Sequence, residues 1–323
     1  MKICHVISGN TFAGIEQYVA ELSQSLESKH EVSLICNEEI ASNFKHCKVI
    51  PIKKRSRRSF LAIYTIYKIL RSNDFDIVNT HGSNPTYIVS ILKKIMNINF
   101  VATIHGIKSN VNVFNKADLV IGGERSLVDI NTRTRIIHNW YNHSSDSKAE
   151  GSQAIAVGRL EDVKGFDLLI KAWVNIATPL VIIGSGPQKD FLNNLIDTLN
   201  LSKSVSIKEW IDQDKLMQEY AKAKVMIISS RREGGPRVGL EALANNLPVL
   251  STDVGHMNKI LPNELLAKPN DLDSLKLLLE NTVDNIDLLN QSAIFEFVKE
   301  EFSLESQKNK TISAYEDCLR SSS

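Results

Sequence analysis

The sequence predicts an α/β fold with parallel sheets, arranged as two domains. Two observations carry this. Short apolar, strand-like runs alternate with amphipathic helical patterns along nearly the whole chain, which is the signature of parallel-sheet α/β proteins. A polar stretch near the middle, Asn142 to Ser152, interrupts that alternation, and a second series begins after it. At 323 residues the chain is too long for one typical core and about right for two.

In the first half, strands are expected at 2–7, 31–36, 48–52, 75–79, 99–104, 118–121 and 134–138, with helical periodicity at 15–28, 59–72 and 85–96. In the second half, strands are expected at 153–158, 179–184, 204–208, 224–229 and 248–251. Helices at 165–176, 188–200, 213–221, 237–245 and 271–287 fill the gaps, and 303–320 reads as one more amphipathic helix. The domains are accordingly set at 1–147 and 148–302. The terminal segment 303–323 is expected to cross back to the first domain.

Composition is that of an ordinary globular protein, with 43% hydrophobic and 23% charged residues. No apolar run reaches the roughly 18 residues of a membrane span. Met1-Lys2 leads straight into a strand rather than into a secretory leader, so a cytoplasmic location is expected. The four cysteines show no metal-ligand spacing and read as reduced core thiols. The net charge of +1 conceals an asymmetry: residues 1–147 hold 18 basic and 12 acidic residues, and residues 148–323 hold 20 and 25. The two halves should therefore face different partners. Nothing points to nucleic acid.

The most informative stretch runs from Val225 through Glu233-Gly234-Gly235-Pro236-Arg237-Val238-Gly239 to Glu241-Ala242-Leu243. A strand ends, a glycine-rich loop follows, and a helix is expected to begin at Pro236, which suits a first helical position. The N–H groups of Arg237, Val238 and Gly239 would then form an anion site at the helix end. Gly234 and Gly235 would let a ligand approach the backbone. Glu233 and Glu241 would accept hydrogen bonds from hydroxyls, which a nucleotide sugar offers on both sides of its diphosphate. Alternatively, Glu233 caps the helix and Glu241 is a solvated helix residue.

A second cluster, Gly158-Arg159 through Lys164-Gly165, places two cations after a strand, suited to a diphosphate that gains charge as it leaves. Exposed surface cations are the plainer alternative. Gly184-Ser185-Gly186-Pro187 is either part of a phosphate-binding turn or only a tight strand-to-helix connection. The turn around Gly14 lacks the ending of a triphosphatase loop. His81 and His105 each end a strand beside a glycine, at the sheet edge where ligands bind, although either could equally be structural. Asp74/Asp76, Asp212/Asp214 and Asp271/Asp273 sit at helix starts or turns and read as caps, so no metal site is assigned. Lys53, Lys54, Arg55, Arg57 and Arg58 precede a helix rich in apolar positions, a pattern fit for an anionic membrane surface or an anionic acceptor.

Taken together, the Glu233-to-Glu241 spacing, Gly158-Arg159 with Lys164-Gly165, Gly184 to Pro187, Leu247-Pro248-Val249 and Thr252 to Gly255 resemble the retaining glycosyltransferases of family four. The resemblance runs from about Ser8 to Ala314. It implies the GT-B architecture, two Rossmann-like domains facing across a cleft. It also implies that Arg159 and Lys164 contact the donor diphosphate, Glu233 the transferred sugar and Glu241 the ribose. The Gly14 turn would close over the phosphates and His105 would lie near the sugar. The family works without a metal, so no cofactor is expected beyond the nucleotide-sugar co-substrate, with UDP favoured over GDP. Gly235, Asn246 and His256 depart from the family's usual residues and bear on sugar identity. The implied function is transfer of a hexose or N-acetylhexosamine to a glycan or lipid-linked acceptor in bacterial lipopolysaccharide or capsule assembly, on the inner membrane face. An epimerase or hydrolase on the same fold is the rival enzyme, and a non-catalytic nucleotide-sugar-binding subunit is the rival from another class.

Overall fold

The computed structural model describes residues 1–141 and 151–321, so most of the expected linker lies outside the described residues. The chain divides into two compact units, Met1–Asn139 with Leu304–Ser323, and Trp140–Ser303.

The first unit runs β1 (Lys2–Val6), α1 (Gly14–Leu26), β2 (Glu31–Asn37), β3 (Lys48–Ile52), α2 (Phe60–Asn73), β4 (Ile77–His81), α3 (Ser83–Leu92), β5 (Phe100–Ile104), β6 (Leu119–Gly122) and β7 (Thr134–Ile136). Its described strands form one parallel sheet in the order β3-β2-β1-β4-β5-β6-β7. β4 and β5 are buried at every residue, as central strands covered on both faces must be. The order reverses between β1 and β4. That switch point is where sheets of this kind open a crevice for ligands, outside the strands' carboxyl ends.

The second unit continues with β8 (Gln153–Val157), α4 (Phe166–Ala172), β9 (Leu180–Ile183), α5 (Lys189–Thr198), β10 (Val205–Lys208), α6 (Gln213–Ala221), β11 (Ala223–Ile228), α7 (Arg237–Ala244), β12 (Val249–Thr252), α8 (Met257–Ile260), β13 (Leu266–Ala267), α9 (Leu272–Thr282) and α10 (Ser292–Glu301). Its sheet, also parallel, has the order β10-β9-β8-β11-β12-β13. Here the order reverses between β8 and β11. Three elements were not expected from sequence: β13 is only two residues long, α8 a single turn, and α10 a largely exposed helix. The helix expected over 271–287 ends at Thr282 and continues as a 3₁₀ turn to Leu288.

α11 (Leu304–Arg320) belongs to the first unit. It buries Gln307, Thr311, Ala314, Tyr315 and Cys318, an i, i+4, i+7, i+8, i+11 stripe. Tyr315 Oη accepts from Asn79 Nδ2 at 2.6 Å, which satisfies a polar atom inside the core. Arg135 pairs with Asp317 at 2.6 Å on the rim.

Candidate functional site

In the second unit the two loops singled out in sequence leave adjacent strands at the switch point. The loop after β8 delivers Lys164, and the loop after β11 delivers Glu233. Their side chains meet: Lys164 Nζ donates to Glu233 Oε1, and Ser230 Oγ reaches the same oxygen at 3.1 Å. Both are mostly buried, at 20% and 18% side-chain exposure, so the pair is better insulated than an exposed ion pair.

Arg231 clamps these loops together, and sequence reasoning did not identify it. Its guanidinium forks onto Asp167 at 2.8 and 2.9 Å, donates to the Asp162 carbonyl at 2.6 Å, and reaches Asn270 Oδ1 at 2.8 Å. Burial alone would push the Asp167 carboxyl up, but the Arg231 hydrogen bonds and charge outweigh it, and the net direction is down. Backbone contacts tighten the junction: Arg231 N donates to Val163 O at 2.8 Å, and Ser229 Oγ donates to Lys164 O at 3.0 Å. Gly165 explains why a glycine follows Lys164. Its φ is +64°, and a Cβ there would stand 2.2 Å from Ser229 O.

The helix after Glu233 starts one residue later than expected, with Pro236 as N-cap in extended conformation and Arg237 first in α7. Gly239 N–H is bonded to Pro236 O at 3.2 Å, so it does not join the anion site expected from three consecutive groups. Arg237 and Val238 hold the two remaining positions at that helix end. Gly234 and Gly235 are part-exposed in the loop before it, and the Gly235 backbone abuts Gly255, where an added Cβ would lie 2.8 Å from Gly235 Cα.

Other expected residues are placed differently. Arg159 is 72% exposed and bridges to Glu161 at 2.9 Å rather than lining the Lys164–Glu233 pair. Glu241 is buried, which rules out the solvated-helix alternative. The Tyr220 hydroxyl is pushed well up, first by burial and then by the neighbouring Glu241 carboxylate. Gly184 and Gly186 pack against the β8 loop. A Cβ on Gly184 would meet Gly158 O at 1.9 Å, and one on Gly186 would meet Leu160 O at 2.6 Å, so the tight-connection alternative accounts for both. Asp212 and Asp271 accept from Lys215 N and Ser274 N as the N-caps of α6 and α9.

In the first unit the switch point holds a hydrogen-bonded chain of three imidazoles. His5 Nδ1 lies 3.0 Å from His81 Nε2, and His81 Nδ1 lies 2.9 Å from His105 Nε2. The Tyr18 ring stands edge-on to His105 at 4.7 Å. His81, expected at the sheet edge where an acceptor would bind, is instead buried between its two neighbours. Burial pushes His5 down to about 4 and His105 to about 3, the latter helped by Lys108; burial and then its two partners lower His81 as well. Neutral imidazoles carry one N–H each, so the three protons must all point the same way along the chain. His5 was overlooked because it sits inside a strand with no flanking glycine. Gly14 is the first residue of α1, and the preceding turn is held by Glu16, whose Oε2 accepts from Ala13 N at 3.2 Å.

Lys53 to Arg58 form a loop before α2. Arg57 lies over the Tyr87 ring at 5.2 Å and donates to Asn84 at 3.4 Å. α2 buries Ala62, Ile66 and Leu70 against the sheet, while Phe60, Leu61 and Tyr64 are 77%, 53% and 43% exposed. No helix among the described residues is long and apolar enough to cross a membrane.

Two family models match this chain: Glycosyltransferase Family 4 over residues 12–145 and Glycosyl transferases group 1 over residues 142–292. An uncharacterized glycosyltransferase of Haemophilus influenzae is 28% identical over 169 residues, which span about half of each protein (49% and 47%). The N-acetylgalactosamine-N,N'-diacetylbacillosaminyl-diphospho-undecaprenol 4-alpha-N-acetylgalactosaminyltransferase of Campylobacter jejuni is 28% identical over 286 residues, 74% of this chain and 77% of that one. Among solved structures, the Anabaena protein Alr3699/HepE in complex with UDP and glucose superposes with a TM-score of 0.82 at 17% identity, covering 98% of this chain and all of that one. The fold is GT-B, and the chain belongs to the group 1 glycosyltransferases, with a first half of the family 4 type.

Proposed function

We propose that this chain is a retaining, metal-independent glycosyltransferase that moves a hexose or N-acetylhexosamine from a nucleotide sugar, preferably a UDP-sugar, to a glycan or lipid-linked acceptor. The setting is bacterial lipopolysaccharide or capsule assembly at the cytoplasmic face of the inner membrane. The observation that carries this reading is the Lys164–Glu233 pair at the second unit's switch point, next to the N-terminus of α7. Arrival of a donor would exchange that pair's partners. Lys164 takes the diphosphate, and Glu233 takes hydroxyls of the sugar. Arg159 leaves Glu161 to join Lys164, and the N–H groups of Arg237 and Val238 complete the phosphate cradle. Glu241 would hold the ribose.

The bond from C1 of the sugar to the phosphate oxygen breaks, and the bond from C1 to the acceptor oxygen forms on the same face. The acceptor proton passes to the departing phosphate oxygen, so no separate base is required. Charge growing on the leaving diphosphate is stabilised by cations already in place, which removes the need for a metal ion or other cofactor. The UDP preference and the lipid-linked acceptor draw support from the bound UDP of the Anabaena structure and the diphospho-undecaprenol substrate in the Campylobacter enzyme's name. Membrane attachment draws support from the outward Phe60, Leu61 and Tyr64 beside five cations.

A nucleotide-release assay across a panel of nucleotide sugars tests the proposal, with the product's anomeric configuration read by NMR. Release should occur with a UDP-sugar and give the donor's own anomer. Lys164→Ala should lower kcat/KM at least tenfold, since a charged hydrogen bond is worth ~1.5–3 kcal/mol. An inverted product, or a folded Lys164→Ala protein with full activity, overturns the mechanism.

A further inference from the structure

The first unit contains a groove that the reading above does not use. It has a volume of about 660 Å³, within the usual range of small-molecule sites. Its lining runs along α3 from Ser83, at that helix's N-terminus, to Lys94 just past its end, and takes Lys108, Ser109, Asn110, Asn112, Val113 and Lys116 from the segment after β5. Arg57, Lys94, Lys108 and Lys116 line it, and no acidic residue does. None of the three lysines is paired with a carboxylate among the described residues. Four cations gathered around one concavity without a counter-charge repel one another, and an anionic ligand relieves that repulsion.

Two neighbours define the ligand further. Arg57 lies three residues before Phe60, where the exposed apolar face of α2 begins. Lys108, also in the lining, follows His105 by three residues, just past the carboxyl end of β5. The Tyr87 ring, with Arg57 over it, gives the groove an apolar wall, while Ser83 and Asn110 supply hydrogen-bonding groups. Such surroundings suit a molecule that carries a hydrocarbon, a dense negative charge and hydroxyls in succession.

We propose that this groove binds the diphosphate of a lipid-linked acceptor, with the lipid leaving along α2 and the saccharide running toward His105. The proposal rests on the lipid-linked reading above and assigns residues to it. Calorimetry on the full chain provides the test, with inorganic pyrophosphate and farnesyl diphosphate as probes in saturating UDP. The comparison is between wild type and the double variant Lys94→Gln/Lys116→Gln, both exposed positions. Both probes should bind wild type, and the variant should bind each at least tenfold more weakly, with UDP affinity and thermal unfolding unchanged. Equal probe affinity in the two proteins overturns the proposal. Loss of phosphatidylglycerol-vesicle binding in the Lys94→Gln/Lys116→Gln variant also overturns it, because these two lysines would then serve lipid headgroups. UDP binding to wild type is recorded separately, and its absence strikes the donor assignment; the wild-type-to-variant difference judges the groove either way.

Discussion

Lowering the pH from 7.5 to 5.0 should selectively destabilise the first unit, through the buried imidazole chain. His5 and His105 titrate near 4 and 3 in the folded protein, against 6.5 for an unperturbed histidine. The unfolded chain therefore binds protons that the folded one refuses. The stability these groups contribute is complete above pH 6.5 and is lost as the pH falls toward 4. Each group costs about 1.36 kcal/mol per pH unit below 6.5, or about 2 kcal/mol by pH 5.0. The two together cost about 4 kcal/mol, and the lowered His81 acts in the same direction. That is a large share of the ~5–15 kcal/mol that holds a typical domain folded. Because both folded values lie below 5, the figure scarcely depends on them. Arg231 holds Asp167 below the ordinary carboxylate range, so it takes up its proton only at more acid pH and adds little in this window. Urea unfolding followed by circular dichroism at the two pH values measures the loss. The double variant His5→Gln/His105→Gln should show about 4 kcal/mol less pH dependence than wild type. Equal wild-type stability at pH 7.5 and 5.0 would refute the reasoning, since it would mean the chain takes up protons without cost.

Other perturbations test the second unit and the membrane face. Glu233→Gln should lower kcat and alter sugar choice, whereas Glu241→Gln should chiefly weaken UDP itself; intact UDP affinity in Glu241→Gln, by calorimetry, removes the ribose role. Arg231→Lys keeps the charge but loses the fork onto Asp167, so unfolding of the second unit should come about 2 kcal/mol sooner, with a matching fall in kcat; an unchanged urea midpoint shows that the clamp is idle. Activity should survive EDTA, and an absolute requirement for Mg²⁺ or Mn²⁺ would overturn the account of leaving-group stabilisation. Wild type should sediment with anionic but not neutral vesicles and lose that binding at high salt. Replacing Lys53, Lys54, Arg55, Arg57 and Arg58 with Gln should abolish it, at ~1 kcal/mol per cation.

The fold class, most of the elements and the two loops that meet at the second unit's switch point were legible from the sequence alone. Apolar strand runs and helix periodicity are local properties, and β5, α1 and α2 carry them plainly. Lys164 and Glu233 were legible because each lies in a glycine-marked turn that follows a strand. Elements with weak local signals were missed. β13 is too short to alternate, and α10 buries only Val298 fully. Where α9 gives way to a 3₁₀ turn, Val283 and Ile286 keep an i, i+3 spacing that fits either helix type, so the apolar pattern runs on past the break.

Tertiary structure alone decided which distant residues meet. Arg231 and Asp167 lie 64 residues apart, and His5 and His81 lie 76 apart. Nothing in either local pattern marks them as partners. The same holds for Arg159, whose position after a strand fits a phosphate contact, yet whose side chain turns to Glu161 and solvent. Gly184 and Gly186 read as ligand-facing until the β8 loop is seen to occupy the space beside them. Parallel sheets bring the carboxyl ends of sequence-distant strands side by side. The position of each residue along its own strand is written locally, but its neighbours are set by strand order, which emerges only when the sheet assembles.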